Sequence, residues 1–398
     1  MISYRWSEVP DHLYEMKKKI LFIIPSLQTG GTVSSLNNIY RCYKDKCDIS
    51  VFAITTLGKA GVEFNGRIIK EDTLLSYYYG DFDDRKGVDR IPAFLIKVSR
   101  RLCYKYGWNL EQLLLNRVAR NLTNNYGFDT VIGFQEGIAN TLASLVQCNY
   151  KIAWIHCNYR YYPGAGKEEN TYSRFNQIVC VSDFTASEFC DIYPALIAKT
   201  ISINNLFDVS RVETLAEEDI DDKRFSNDRF TIVSIGRIAS VKRFERIPEI
   251  AHKLVSLGAN FRWYILGDGE EGIKKEISDG IERYGLEDFV IPLGNKKNPY
   301  PFLAKADLYV CLSESEACPM VFIEAKTLGV PIITTDFGSA REFVKDGKDG
   351  YVVPLESLPE TLCEYLSDAT TQERFKTEVA SYESPNKTIE RKLDNILL

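Results

Sequence analysis

Short apolar runs alternate with amphipathic stretches along the whole chain. That alternation is typical of parallel strands covered by helices, so it predicts an α/β fold. In the first half the predicted strands are Ile20–Ile24, Ser50–Thr55, Thr130–Phe134, Ile152–Ile155, Gln177–Val181 and Thr200–Ile203. In the second half they are Thr231–Ile235, Phe261–Leu266, Val290–Leu293, Leu308–Leu312, Ile332–Thr334 and Tyr351–Val353. The predicted helices include Thr32–Tyr43, Leu110–Tyr126, Phe244–Leu257, Gly272–Tyr284, Pro319–Leu328 and Leu358–Ser367.

The hydrophilic stretch Val209–Asp228 separates the two series of strands and predicts a linker with a short helix. A chain of 398 residues is long enough for two domains with separate cores. We therefore expect two Rossmann-like, doubly wound parallel-sheet domains, over 1–206 and 207–383, that face each other across a cleft. Such domains bind ligands at the carboxyl ends of their strands, which predicts an active site in the cleft.

Charge, cysteine usage and the length of the apolar runs limit the partners, metal sites and cellular locations that we expect. The net charge is −6, whereas a general nucleic-acid binder carries a basic field, so no nucleic-acid partner is expected. None of the ten cysteines lies in a C-x-x-C pair, which disfavours a zinc site and favours a reducing cytoplasm. The apolar run after Lys17–Lys19 is too short for a signal peptide or a membrane span. We expect a cytoplasmic protein that touches a membrane only peripherally, at its inner face.

Two cations follow the predicted strand that ends before Gly236. Arg237 and Lys242 lie on one short loop, where a guanidinium and an ammonium can clamp a diphosphate. In a transition state they would stabilise the charge that builds up on that leaving group. Two solvated surface cations are an equally good interpretation, because the R-x4-K spacing is common by chance.

The segment from Ser313 to Gly329 is more specific, because it places two carboxylates around a loop-to-helix junction. Glu316 in the loop is suited to sugar hydroxyls, and Glu324 in the helix is suited to ribose hydroxyls. Free backbone N–H groups at the start of that helix predict an anion site, over Ala317, Cys318, Pro319 and Met320. Glu316 can also be an ordinary loop carboxylate, whereas Glu324 beside apolar positions needs a partner. The two glutamates come from one loop–helix unit, unlike the acid and nucleophile of a retaining glycosidase.

The first half offers weaker candidates. Gly30 and Gly31, with Thr32, follow the first strand and allow a phosphate to approach the backbone, although a plain tight turn explains them equally well. His156 follows the strand Ile152–Ile155 and can bond a sugar hydroxyl or the acceptor, or serve only as a structural histidine. Glu136 occupies the equivalent position after Thr130–Phe134 and is a candidate base for an acceptor hydroxyl.

The segment Ile91–Arg120 carries several Lys and Arg residues and a single acidic residue, Glu111, interleaved with aliphatic and aromatic residues. That composition suits contact with an anionic membrane surface. A solvated helix face over a core stripe explains it as well.

Taken together, these motifs resemble those of the family-4 retaining glycosyltransferases, including bacterial capsule and surface-polysaccharide enzymes, which have the GT-B fold. The resemblance covers nearly the whole chain and is strongest from Thr231 to Val353. It rests on GGT (Gly30–Thr32), VSDF (Val181–Phe184), NNLFD (Asn204–Asp208), GRIASVK (Gly236–Lys242), LGDG (Leu266–Gly269), SESEACPMVFIEA (Ser313–Ala325) and DGYVV (Asp349–Val353).

The resemblance implies that the second domain binds the nucleotide sugar and the first binds the acceptor. Arg237 and Lys242 would hold the diphosphate, Glu324 the ribose and Glu316 the donor sugar, with His156 beside the transferred sugar. The implied donor-binding positions are Gly30, Gly31, Thr32, Gly236, Gly294, Ala317, Cys318, Pro319, Met320 and Glu324. The family retains the anomeric configuration, needs no metal, and lets the leaving phosphate assist attack on the same face. A C-terminal helix typically crosses back to the first domain, as 384–398 would here.

Two positions depart from the family pattern. The family usually has Gly and an aromatic residue after the first glutamate, where this chain has Ala317 and Cys318. That difference alters the loop beside the donor sugar. Pro248 falls inside the helix predicted after Lys242, although proline is comfortable only near a first turn.

We therefore expect an enzyme that transfers a hexose or an N-acetylhexosamine from a nucleotide-diphosphate sugar, with UDP-sugar favoured over GDP-sugar. The expected acceptor is a glycan or lipid-linked glycan in surface polysaccharide biosynthesis, with no metal or other cofactor. The alternatives are a GT-B nucleotide-sugar epimerase or hydrolase, and a non-catalytic GT-B partner subunit. A partner subunit could lose its charged groups freely, so their joint presence favours an enzyme. A nicotinamide dehydrogenase is disfavoured, because the first glycine loop lacks G-x-G-x-x-G.

Overall fold

A computed structural model describes residues 17–28, 30–56, 66–80, 85, 87–106 and 108–398. These residues form two parallel sheets, of seven and six strands. The strands of the first sheet are β1 (Lys19–Ser26), β2 (Asp48–Thr55), β3 (Arg67–Ile69), β4 (Thr130–Gly133), β5 (Tyr150–Ile155), β6 (Gln177–Cys180) and β7 (Thr200–Ser202). Those of the second are β8 (Phe230–Ile235), β9 (Phe261–Leu266), β10 (Val290–Gly294), β11 (Leu308–Cys311), β12 (Ile332–Thr335) and β13 (Gly350–Val353). The expected pair of Rossmann-like, doubly wound domains is confirmed.

The first sheet has the order β3-β2-β1-β4-β5-β6-β7 and is covered on both faces. Alternate residues of β1 explain why its sequence is a continuous apolar run, because Phe22 faces one core and Leu21 and Ile23 face the other. The helices of this half are α1 (Gly31–Tyr43), α2 (Thr73–Tyr79), α3 (Arg90–Lys105), α4 (Leu110–Tyr126), α5 (Ile138–Leu145), α6 (Glu169–Tyr172) and α7 (Asp183–Ile192).

The second sheet has the order β10-β9-β8-β11-β12-β13. Its order reverses at β8, with β9 on one side and β11 on the other, so the loops after β8 and β11 lie at the switch point where such sheets bind ligands. The helices from the linker onward are α8 (Val209–Ala216), α9 (Ile247–Ser256), α10 (Glu271–Tyr284), α11 (Tyr300–Ala304), α12 (Met320–Thr327), α13 (Ala340–Phe343), α14 (Leu358–Ser367), α15 (Ala369–Ala380) and α16 (Asn386–Leu397).

The chain crosses between the two domains twice. After α8, the rest of the predicted linker packs on the second core through Ile220 and Phe225. The C-terminal helix α16 returns to the first domain, where Ile389 and Leu393 are buried in the core that contains Phe22 of β1. The backbone N–H of Phe207 donates to Asn386 Oδ1 at 3.2 Å, which ties the outgoing and returning segments together.

Two predicted elements differ from the structure. The helix predicted over Phe244–Leu257 is a 3₁₀ turn at Phe244–Arg246 followed by α9, so Pro248 lies in the first turn, where proline is accommodated. The basic segment Ile91–Arg120 divides into two helices, α3 and α4, that bury different amounts of apolar surface. None of the helices in the described ranges is both long and apolar enough to cross a bilayer.

Candidate donor and acceptor site

A cavity of about 590 Å³ opens where the carboxyl ends of β4 and β5 face the loop after β11. The first domain contributes Glu136, His156 and Tyr161, and the second contributes Glu316 and Ala317. The fold thus brings together four of the predicted site residues, which are separated by as much as 181 positions in the chain (317 − 136). The other predicted positions do not line this cavity.

Lys242 forms an ion pair with the carboxylate of Glu316, and the Ser313 hydroxyl donates to the same carboxylate at 2.7 Å. The two side chains are 24% and 16% exposed, so the pair is shielded but still reachable from the cleft. Burial alone would lower the pKa of Lys242, but the charge and hydrogen bond of Glu316, together with nearby Cys311, outweigh burial and raise that pKa. The ammonium therefore stays charged, and a second anion can reach it.

The backbone beside Lys242 is fixed in an unusual conformation. Arg243 has φ 54°, in the left-handed region that costs a non-glycine residue roughly 1–3 kcal/mol. Its guanidinium pairs with Glu314 at 3.2 Å, and the Glu314 N–H donates to the carbonyl of Val241 at 2.8 Å. These contacts join the loop after β8 to the loop after β11, and so hold Lys242 against Glu316.

Arg237 is exposed and makes no hydrogen bond or ion pair with any residue in the described ranges. Its loop is pressed against the loop after β9, where a Cβ at Gly267 would lie 1.8 Å from the carbonyl oxygen of Gly236. A Cβ at Gly269 would lie 2.0 Å from the carbonyl oxygen of Ile238. The two glycines allow the two loops to pack this closely. The exposed Arg237 guanidinium is available to a ligand.

Helix α12 begins one residue later than predicted. Pro319 is its N-cap rather than its first helical residue, and no side chain caps the first turn. The preceding loop packs against the first domain. Ala317 is buried in the core that contains Phe22 of β1, and Cys318 packs beside that core. Burial raises the pKa of the Cys318 thiol to about 12. The Met320 side chain packs against an apolar cluster centred on Phe207, so only its backbone is placed to meet a ligand.

Glu324 is half-buried on α12, and its partner is a tyrosine that the sequence did not reveal. The Tyr300 hydroxyl, at the start of α11, donates to Glu324 Oε1 at 3.3 Å. Burial raises the pKa of Glu324 to about 7, and the bond from Tyr300 opposes that rise. No motif marks Tyr300, because the contact depends on how α11 packs against α12. Gly294 ends the edge strand β10 with φ 74°, apart from the other candidates.

His156 lies in the cleft as a neutral imidazole. Burial lowers its pKa to about 3, and the ring packs on Phe134 with centroids 4.7 Å apart. Its Nε2 is buried without a hydrogen-bond partner among the described residues. The backbone N–H of His156 donates to Glu136 Oε2 at 2.9 Å, and burial raises the pKa of Glu136 despite that bond. The pair can therefore offer a neutral ring and a partly basic carboxylate to hydroxyl groups.

The glycine loop after β1 lies outside the cavity. Among the described residues, a Cβ at Gly30 or Gly31 would meet nothing within 4 Å, so packing against them does not require glycine at either position. Helix α1 begins at Gly31, with Thr32 in its first turn, and both glycines are exposed. The loop thus leaves open space at a helix N-terminus on the carboxyl edge of the first sheet.

A direct contact between the domains was not anticipated from the sequence. The Glu342 carboxylate accepts from the backbone N–H groups of Asp183 at 3.0 Å and Phe184 at 2.6 Å, at the start of α7. The Phe184 ring lies on Gly338, where a Cβ would be 2.0 Å from the ring atom Cζ. The VSDF motif of the first domain therefore forms part of the domain interface.

Comparison with known proteins gives a family match for the second domain. Residues 216–386 match the model of the family described as glycosyl transferases group 1. The glycosyltransferase MJ1059 of Methanocaldococcus jannaschii, described as uncharacterized, is 30% identical over 147 residues, or 36% of each chain. The amylovoran biosynthesis glycosyltransferase AmsD of Erwinia amylovora is 29% identical over 166 residues, or 40% of this chain and 45% of AmsD. These alignments span less than half of either relative.

Solved structures agree over nearly the whole chain. The crystal structure of Anabaena HepE in complex with UDP and glucose superposes with a TM-score of 0.67 and 18% identity, covering 96% of this chain and 99% of HepE. At that identity the likeness establishes the fold. The chain thus has the two-domain GT-B fold, and its residues 216–386 are similar to the glycosyl transferases group 1 family.

Proposed function

We propose that this protein is a retaining glycosyltransferase that moves a hexose or an N-acetylhexosamine from a nucleotide-diphosphate sugar, with UDP favoured, to a glycan or lipid-linked glycan. The observation that carries the proposal is that Glu316, which is paired with Lys242, faces His156 and Glu136 across one cavity, while Arg237 on the loop of Lys242 pairs with none of the described residues. The likeness to HepE, crystallised with UDP and glucose, supports the choice of donor. The likeness to AmsD supports a role in polysaccharide biosynthesis.

In this proposal Arg237 and Lys242 hold the two phosphates. Transfer breaks the bond between the anomeric carbon and the terminal phosphate oxygen, which leaves negative charge on that oxygen. Preorganised cations stabilise such charge more in the transition state than in the ground state. They supply the charge that a metal ion would otherwise bring, so we propose that the reaction proceeds without one.

Retention follows if the acceptor hydroxyl attacks from the face that the phosphate leaves. The new bond joins the acceptor oxygen to the anomeric carbon, and the hydroxyl proton passes to the departing phosphate oxygen. The neutral imidazole of His156 would then bond a hydroxyl of the transferred sugar through Nε2. Glu316 would hold further hydroxyls once the donor diphosphate engages Lys242, and Glu136 would orient the acceptor.

A thermal-shift panel of UDP, GDP, ADP and CMP, with their sugars, tests the donor site on the wild type and Arg237→Ala. Selective stabilisation by UDP and its sugars, reduced in the variant, is expected because a bound ligand stabilises the folded state. Turnover of the stabilising sugar is then followed by NMR in the presence of EDTA, and the product should keep the anomeric configuration of the donor. Arg237→Ala should lower kcat/KM by about 100-fold or more.

Arg246→Ala is the matched control, because Arg246 is a neighbouring exposed arginine whose ion pair is with Glu249, three residues further along the chain. It should leave both readouts unchanged. Wild-type turnover in Arg237→Ala would refute the assignment of Arg237 to the diphosphate. Release of nucleotide without any acceptor would instead assign a hydrolase or epimerase. No stabilisation by any nucleotide would favour a non-catalytic partner subunit.

A further inference from the structure

Helix α3 turns an apolar face toward solvent. Its large hydrophobic side chains recur at spacings of three and four residues, which places them on one side of the helix. They are exposed by 65% at Ile91, 58% at Phe94, 57% at Leu95, 38% at Val98 and 52% at Leu102. An amphipathic surface helix normally points such a stripe into the core, so this orientation is unusual.

The opposite side of α3 is the one that packs. Ala93 is 1% exposed, and the helix rests on α2. In α4 the usual arrangement holds, because Leu114, Leu115 and Val118 are buried in the first core. The interpretation of Ile91–Arg120 as a solvated face over a core stripe is therefore right for α4 and wrong for α3.

The exposed surface continues beyond the helix. Tyr106 and Trp108 are each 70% exposed, and Leu113 is 59% exposed at the start of α4. A groove of about 920 Å³ runs between Trp108 and α3, and its rim carries the cations of Lys97, Arg100 and Arg101. We call α3 together with Tyr106, Trp108 and Leu113 the α3 face.

The charge of the α3 face selects its partner. Helix α3 has the sequence RIPAFLIKVSRRLCYK, which contains Arg and Lys but no Asp or Glu. A second copy of the chain would bring the same cations against them in a two-fold interface, and like charges in contact disfavour association. An anionic surface with an apolar interior matches both the charge and the exposed apolar side chains.

We propose that the α3 face lies in the headgroup region of an anionic lipid bilayer, with α3 parallel to the membrane plane. Its apolar side chains would enter the acyl boundary, Trp108 would sit at headgroup level, and the cations would meet lipid phosphates. The position of the face agrees with a lipid-linked acceptor. Helix α4 runs from Leu110 back to the start of β4, so the α3 face lies toward the carboxyl edge of the sheet, where the cleft opens.

The experiment is flotation of the full chain with vesicles of phosphatidylcholine alone or with about 30% phosphatidylglycerol. Binding is expected only to the anionic vesicles, and added salt should weaken it. Phe94→Glu with Leu95→Glu should reduce binding at least about tenfold, because two large apolar groups leave the bilayer. Ile197→Glu with Leu257→Glu is the matched control, since these residues are 64% and 59% exposed elsewhere on the surface.

The cations are tested separately. Arg101→Glu with Lys105→Glu should abolish the preference for anionic vesicles, whereas Lys275→Glu with Arg283→Glu on α10 should keep it. Equal binding by all variants, or no binding by the wild type, overturns the proposal. A dimer detected by light scattering and lost in the Phe94→Glu variants would assign the face to a second copy instead.

The proposal rests on the proposed function only for the identity of the acceptor. Vesicle binding is measured without donor or acceptor, so it can succeed where transfer fails. The α3 variants should also keep the stabilisation by UDP, because α3 lies in the first domain and the charged pair lies in the second. Loss of the stabilisation by UDP in the α3 variants, but not in Ile197→Glu with Leu257→Glu, would show that the α3 substitutions misfold the chain.

Discussion

Lys242 already pairs with Glu316 in the structure, although the proposed donor brings its own negative charge to that lysine. Binding of the diphosphate must therefore compete with the Glu316 carboxylate. Once displaced, Glu316 is free to accept hydrogen bonds from the hydroxyls of the sugar. In the proposed mechanism, Glu316 would thus oppose binding of the bare nucleotide and favour the complete donor.

Glu316→Gln should separate these two effects. Removing the carboxylate charge frees Lys242, so UDP should bind up to about fivefold more tightly, which corresponds to about 1 kcal/mol. Transfer should fall, because the sugar loses a charged acceptor of its hydrogen bonds. Calorimetry with UDP and a kcat/KM for the UDP-sugar measure the two. Glu314→Gln, which removes the neighbouring carboxylate that pairs with Arg243, is the control and should not tighten UDP binding. Weaker UDP binding by Glu316→Gln would contradict the competition.

Glu324 predicts a pH dependence of donor binding. Its pKa is raised to about 7, so the carboxylate takes up a proton as the pH falls through that value and accepts ribose hydroxyls less well. UDP affinity should therefore rise between about pH 6 and about pH 8.5. Tyr300→Phe removes the bond that lowers the pKa, and should move the midpoint to higher pH. Glu324→Gln, which cannot titrate, is the control and should flatten the profile. A midpoint unchanged by Tyr300→Phe would exclude Glu324 as its source.

At the scale of elements, local pattern predicted the ordered parts of the fold well. Apart from β3, which was not predicted and is largely exposed, the strands of both sheets follow the apolar pattern closely, as do helices such as α4 and α14, because burial on the sheet sets that pattern. Helix starts were less accurate where local backbone geometry intervenes. The helix predicted from Phe244 opens as a 3₁₀ turn after the left-handed Arg243, and the extended Pro319 delays α12 by one residue.

The site residues also divide into those that local pattern predicted and those that it did not. Residues that directly follow a strand, such as Arg237 and His156, could be placed from the sequence, because parallel strands all end at one edge. Tyr300 and Glu342 could not, since each meets its partner only through packing of elements distant in the chain. The outward face of α3 was likewise ambiguous, because a helical stripe does not state which side it turns to the core.

At the scale of the whole molecule, two further sets of contacts among the described residues join the domains, besides the packing of Ala317 on the first domain. The crossing segments are tied at Phe207 and Asn386. A second contact is made by Phe184 on Gly338 and by Glu342 at the start of α7. Lys242 and Glu316 belong to the second domain, whereas His156 belongs to the first. The contact of Phe184 with Gly338 therefore helps to set how closely these groups approach.

Gly338→Ala should therefore weaken the domain contact without touching the charged groups. The new Cβ would lie 2.0 Å from the Phe184 ring, so the ring must shift, and we expect the two surfaces to separate. The radius of gyration measured by small-angle scattering should increase and transfer should slow, while stabilisation by UDP, which depends on the second domain, should persist. Phe184→Ala in the Gly338→Ala background removes the clash and is the control, so it should restore the compact form. If UDP stabilisation is also lost and the double variant does not recover, the substitution has damaged the second domain itself, and Gly338 does not serve to bring the domains together.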